Sequence, residues 1–288
     1  MRTILIATSA GAIAFGWVAC SHRTTAEDGR PHVTAAFYPL AEAAQRVGGD
    51  RVDVTNLTAP GAEPHDLELT PKAVARIESA DVVLYLSHGF QPAVSKAVDQ
   101  ANGTVVDVLQ GLPLHTASGQ EAGLTADPHV WLDPVLFSKV VRRIANALHG
   151  SPTPLVKDLQ KLDGEYRAGL QHCQRHEIVT SHAAFGYLAQ RYGLKQVAIT
   201  GLTPESEPSP KQLADVVQIV KRTHATTVFF ETLISPRLAE TVAREVGAKT
   251  AVLDPIEGLT PAEQKAGDDY LSLMHQNLAA LRKALACR

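Results

Sequence analysis

Short apolar runs alternate with stretches whose apolar residues recur every three or four positions, and the alternation continues along the chain from about His32. Runs of this kind bounded by turn residues read as strands, and the longer periodic stretches as helices. The pattern predicts strands at His32–Phe37, Arg51–Leu57, Asp81–Leu86 and Thr104–Leu109, separated by helices at Pro39–Val47, Pro71–Ser79 and Gln91–Gln100. A long polar loop from Gln110 to Pro128 follows, and Pro134 then opens a helix that ends near His149-Gly150. After Ser151-Pro152-Thr153-Pro154, the residues Leu155, Leu159, Leu162, Tyr166 and Leu170 mark one amphipathic helix, which reads as a connector. The alternation then resumes, with strands at Glu177–Ser181, Gln196–Thr200, Thr226–Glu231 and Lys249–Asp254. Helices lie near Ala183–Tyr192, Pro210–Arg222, Pro236–Val246 and Asp268–Leu285. Strand–helix alternation implies parallel sheets with crossover helices. The expected architecture is α/β, with two lobes of about four parallel strands each: residues 20–150, a connecting helix over 151–174, and residues 175–288.

The first residues read as an export signal. Arg2 precedes an apolar run from Ile4 to Ala19, too short to span a bilayer comfortably, which ends at Val18-Ala19-Cys20. Residues 1–19 are therefore expected to be a signal peptide of lipoprotein type, with Cys20 acylated; the alternative is an ordinary cleaved secretory peptide. Either way the chain is expected outside the cytoplasm, lipid-anchored to the outer face of the cell membrane or periplasmic. The remaining cysteines, Cys173 and Cys287, can pair in an oxidising compartment or stay as free thiols. A formal net charge of −3 provides no basic field for nucleic acid. No nucleophile elbow, P-loop or Gly-x-Gly-x-x-Gly fingerprint is present.

Candidate chemistry sits where strands end, since ligands of α/β sheets bind outside the carboxyl ends of the strands. His65 follows Gly61-Ala62-Glu63-Pro64 in a stiff loop, with Glu63 beside it. His129 lies between Asp127-Pro128 and Asp133-Pro134, and Trp131 can shield it from water. His182 closes Ile178-Val179-Thr180-Ser181, and Asp254 closes Thr250-Ala251-Val252-Leu253. Each has an ordinary reading taken alone: a solvated loop histidine, a residue beside a helix cap, a polar helix start, a loop cap before Pro255. Taken together, three imidazoles and one carboxylate suit a tetrahedral Zn²⁺. Glu231, at the end of Val228-Phe229-Phe230, is expected to support a ligand rather than be one. Glu63 competes with Asp254 as the carboxylate ligand.

These stretches, in this order, resemble the metal-binding solute-binding proteins of ABC importers, the zinc and manganese group. The carrying segments are Phe37-Tyr38-Pro39-Leu40, GAEPHDLELTP (61–71), DPHVWLDP (127–134), TSHAAFGYLAQRYG (180–193), Glu205-Ser206-Glu207-Pro208-Ser209 and Leu253-Asp254-Pro255. The resemblance covers nearly all of the chain after the signal. It implies two α/β lobes joined by a rigid helix, with the metal between them. It also implies ligands at His65, His129, His182 and Asp254, and an ABC permease as partner. A histidine at the third position favours zinc; a glutamate there would favour manganese. The loop 110–126 holds just His115 and Glu121, unlike the His- and acid-rich loop of many zinc members. The expected function is therefore high-affinity zinc capture by a monomer that catalyses no reaction. The alternatives are a manganese-binding member, a metal-dependent adhesin or structural lipoprotein, or a zinc hydrolase using Glu63 or Glu231 as base.

Overall fold

A computed structural model describes residues 29–117, 123–204 and 208–288. Cys20 and the signal region, Glu121 and Glu205-Ser206-Glu207 lie outside the described residues.

The first half forms β1 (His32–Ala35), α1 (Tyr38–Gly48), β2 (Asp53–Asn56), α2 (Pro71–Ser79), β3 (Val82–Tyr85), α3 (Pro92–Ala97) and β4 (Thr104–Asp107), followed by α4 (Pro134–Ala147). The second half forms β5 (Glu177–Thr180), α6 (Gly186–Arg191), β6 (Lys195–Ala198), α7 (Pro210–Thr223), β7 (Thr227–Phe230), α8 (Arg237–Val246), β8 (Lys249–Val252), α9 (Pro261–Ala266) and α10 (Tyr270–Leu285). Between them runs α5 (Thr153–Leu170). Each half holds one four-stranded sheet, with orders β2-β1-β3-β4 and β6-β5-β7-β8, and all pairings are parallel.

Several helix starts are written in the sequence. Prolines stand at the first turn of α2, α4, α7 and α9, where their missing N–H costs no hydrogen bond. Ser209–Gln212, Thr260–Glu263 and Asp269–Ser272 form reciprocal capping boxes. The short α9 was not predicted: it buries no residue, so it carries no apolar periodicity, although its capping pair was legible.

Leu155, Leu159, Leu162, Tyr166 and Leu170 of α5 are all buried. The helix packs on α4 and on α10, and so touches elements from both halves. Tyr166 Oη donates to Met274 O of α10 at 2.7 Å. One apolar core runs from the first sheet through α4 and α5 to α10. A smaller one lies between β6, β7, α7 and α8. Cys173, just after α5, is disulfide-bonded to Cys287, just after α10, and closes a separation of 114 residues.

Strand order reverses direction between β1 and β3 and again between β5 and β7. Such reversals open a crevice at the carboxyl ends of the strands. Phe37 follows β1 and Phe90 follows β3, while His182 follows β5 and Glu231 follows β7. The loop after β3 presses against the base of the 110–126 loop. A Cβ on Gly89 (φ 90°) would lie 2.1 Å from Gly123 O, so this position requires glycine.

Candidate metal centre

Four buried side chains from four loops converge between the sheets: His65 (between β2 and α2), His129 (between β4 and α4), His182 (between β5 and α6) and Glu257 (between β8 and α9). Their ligand atoms all lie within 4.8 Å of one another. Glu257 Oε1 is 3.4 Å from His65 Nε2, 3.3 Å from His129 Nε2 and 3.6 Å from His182 Nε2, and the last two nitrogens are 3.3 Å apart. A tetrahedral Zn²⁺ with bonds of about 2.0–2.1 Å has ligand–ligand edges of about 3.3–3.4 Å. The three Glu257 contacts and the His129–His182 contact are close to those edges, and the whole group lies within 4.8 Å.

The loops are held stiffly. Asp127 Oδ1 accepts from both the backbone N (3.0 Å) and the Nδ1 (2.7 Å) of His129, which turns Nε2 toward the centre. Tyr187 Oη of α6 donates to Asp127 O. Asp133 caps α4 through Val135 N and Leu136 N and is paired with Arg191 of α6. His182 Nδ1 lies 2.6 Å from Glu231 Oε1, an ion-pair contact whose direction falls outside hydrogen-bond geometry. Ser181 Oγ donates to the same oxygen. His65 differs: its Nδ1 is buried without a hydrogen-bond partner, and its ring packs edge-on against Phe90 at 4.7 Å. Phe37, Phe90 and Trp131 pack edge-on or tilted against one another beside His65 and His129, a buried apolar wall on one side of the group.

The charges in this cluster are mutually dependent. Burial opposes ionisation of Glu257, but the three facing imidazoles outweigh it and hold the carboxyl well below its usual range. Burial likewise opposes protonation of His129, yet its hydrogen bonds to Asp127 and Glu257 raise its pKa. His182 is raised further, against the same burial, by Glu231 and Glu257. His65, with burial dominant, is lowered.

The residue grouped with the three histidines is Glu257, whereas Asp254, the carboxylate expected from the sequence, lies outside the group. Asp254 is buried but used locally, its Oδ1 accepting from Ile256 N at 2.7 Å and its Oδ2 lacking a hydrogen-bond partner. Burial pushes its carboxyl up to about 7, with the backbone hydrogen bond from Ile256 acting against this. The reason is reach: the Asp254 backbone is held to Asn277 of α10 and its carboxylate to Ile256 N, and the chain turns through Pro255 and Ile256 before Glu257 faces the three imidazoles. The sequence signal for Glu257 was weak, a lone acid before Gly258. Glu63 is also outside the four-residue group; its Oε1 accepts from His65 N at 3.0 Å. Burial, reinforced by the charge of Glu257, pushes Glu63 up to about 9. His115 is stacked on Tyr187 at 4.0 Å and bonded to Gln190 Oε1 at 2.6 Å, so it is tethered to α6 rather than free to reach the ion.

Known proteins of similar sequence and structure are described as zinc-binding or zinc-uptake proteins. Residues 33–284 match the family described as ZnuA, zinc-uptake complex component A, periplasmic. The zinc-binding lipoprotein AdcA of Streptococcus pneumoniae is 37% identical over 290 residues, covering 92% of this chain and 58% of that protein. The chain thus spans less than two thirds of that relative. The high-affinity zinc uptake system protein ZnuA of Bacillus subtilis is 37% identical over 278 residues, covering 88% of this chain and 87% of that protein. The crystal structure of the Zn(II)-bound ZnuA-like domain of S. pneumoniae AdcA superposes with a TM-score of 0.76 at 37% identity, covering 89% of this chain and 99% of that one. With nearly its whole described length matched, the chain belongs to the ZnuA family of zinc-uptake components.

Proposed function

We propose that this protein captures one Zn²⁺ per chain outside the cytoplasm, through His65, His129, His182 and Glu257, and delivers it to an ABC-type permease. The observation that carries the reading is the convergence of three buried imidazoles and one buried carboxylate whose ligand atoms lie within 4.8 Å of one another. Competition titration against a chelator of known strength should give one saturable, high-affinity site. No saturation, or several equal sites, would reject it.

The ligand set also argues against catalysis. A catalytic zinc keeps one position open for water, whereas four protein donors close the shell. A capture role follows, with manganese disfavoured by the three imidazoles. Among the described residues no helix is long and apolar enough to cross a membrane; the membrane contact in this reading is a lipid on Cys20. The exposed large hydrophobics among those residues are Val105 on β4 and Val252 on β8, edge strands of different sheets, which favours a monomer.

Acid should loosen the site. A ligating imidazole must shed its Nε2 proton and the carboxylate must be ionised. Before zinc arrives, His129 and His182 hold protons above the ordinary imidazole range of about 6.5. Zinc therefore displaces protons already near neutrality, and affinity falls from there as pH drops. His65, with its lowered pKa, steepens the fall at lower pH still. Calorimetry in buffers of different ionisation enthalpy, from about pH 7.5 to about pH 5.5, should detect more than one proton released per zinc. Affinity that stays flat over this range would rule out a site built mainly from histidines.

A further inference from the structure

Asp254 and its neighbours point to residues that set the choice of metal. Asn277 of α10, itself buried, grips both backbone groups of Asp254: its Nδ2 donates to Asp254 O at 2.7 Å and its Oδ1 accepts from Asp254 N at 2.8 Å. From the first half of the chain, Trp131 Nε1 donates to Pro255 O at 2.7 Å, and Trp131 O accepts from Tyr270 Oη. Between these anchors Ile256 is fully buried with φ 56°. A β-branched residue is a true outlier in the left-handed region, and such a conformation persists where the surroundings over-determine it. The bonds from Asn277 and from Trp131 Nε1 act on the residues that lead into Glu257, and Tyr270 holds Trp131 in place. That carboxylate meets the three imidazoles through Oε1, while its Oε2 is buried with no hydrogen-bond partner.

A carboxylate that offers one oxygen keeps the ion four-coordinate, which suits zinc. One that swings to offer both raises the oxygen count, which suits Mn²⁺, an ion that prefers octahedral oxygen-rich shells. The turn fixes where the Glu257 backbone sits, and with it the reach and angle at which the carboxylate meets the three imidazoles. We propose that Asn277 and Trp131 are positioning residues for metal selectivity: by pinning the Asp254–Ile256 turn from both halves, they hold Glu257 to a single donor oxygen and so favour Zn²⁺ over Mn²⁺. The inference rests on the zinc-capture reading and extends it to residues that touch no metal.

The test uses the parent chain and two variants. Asn277→Asp keeps the size and the acceptor for Asp254 N but cannot donate to Asp254 O. Trp131→Phe keeps an aromatic ring and removes the N–H. Zinc and manganese affinities are measured by chelator competition, the metal-free melting point is taken as a folding control, and Co²⁺ complexes are read by visible absorption. In both variants zinc affinity should fall roughly 10- to 100-fold, as for other groups that orient metal ligands. Manganese affinity should hold or rise, narrowing the ratio, and the cobalt d–d bands should weaken as coordination exceeds four. An unchanged zinc-to-manganese ratio, or an equal loss of both metals with unaltered cobalt bands, would overturn the proposal by marking a merely structural role. A parent chain with no saturable zinc site would overturn the capture reading and this one together, whereas normal parent binding with unchanged variants would overturn this one alone.

Discussion

Glu257→Ala should weaken zinc binding by roughly three orders of magnitude, because stripping one partner from a buried charged cluster costs about 3–5 kcal/mol and each 1.4 kcal/mol is tenfold. Glu257 supplies one corner of the tetrahedron, and it is also the carboxylate facing all three imidazoles, so its loss removes both a donor and the negative charge that the ion requires. Asp254→Asn should stay within about tenfold of the parent, since asparagine keeps the oxygen that accepts from Ile256 N and a hydrogen bond is worth about 1 kcal/mol net. The two carboxylates sit three residues apart in one loop, so this pair of variants separates a ligand from a loop support. His182→Ala should resemble Glu257→Ala, while His115→Ala, at a side chain committed to Tyr187 and Gln190, should leave affinity near that of the parent. Chelator competition on the four variants decides the matter. A larger loss at Asp254 than at Glu257, or equal losses at His182 and His115, would show that the proposed ligand set is wrong.

Zinc should also raise thermal stability by a wide margin. The four donors come from loops of both sheets, an arrangement that exists only in the folded chain. A ligand that binds only the native state stabilises it by RT ln(1 + [L]/Kd), about 4 kcal/mol at a thousandfold excess over Kd. For a chain of this size that corresponds to a rise in melting temperature on the order of 10 °C. Differential scanning calorimetry with and without zinc measures it directly. An unchanged midpoint at saturating zinc would mean that the ion does not select the folded arrangement.

The sequence determined the layered architecture because strand and helix periodicities are local and strong. Each of the eight predicted strands overlaps an observed one, and the helix at Pro71–Ser79 is bounded as predicted. Punctuation by proline and by Ser, Thr and Asp caps explains that agreement, since these residues act on the backbone within three or four positions. The structure brings the expected candidates His65, His129 and His182 together: the first two sit in proline-stiffened loops after β2 and β4, and His182 just after β5. Tertiary structure alone decided which carboxylate faces the three imidazoles. Asp254 and Glu257 occupy one loop, and both are acids after a strand. What separates them is the grip of Asn277 on Asp254, the hydrogen bond from Trp131 to Pro255 and the left-handed turn at Ile256. Those contacts join residues far apart in sequence, and they arise only when α10 and the His129 loop pack against the end of β8. The same holds for Asp127: nothing local distinguished it from a proline-flanked loop residue, and it orients His129 because the turn folds its carboxylate back onto that ring. Local periodicity thus set which segments carry donors, and long-range packing set which donor atoms meet.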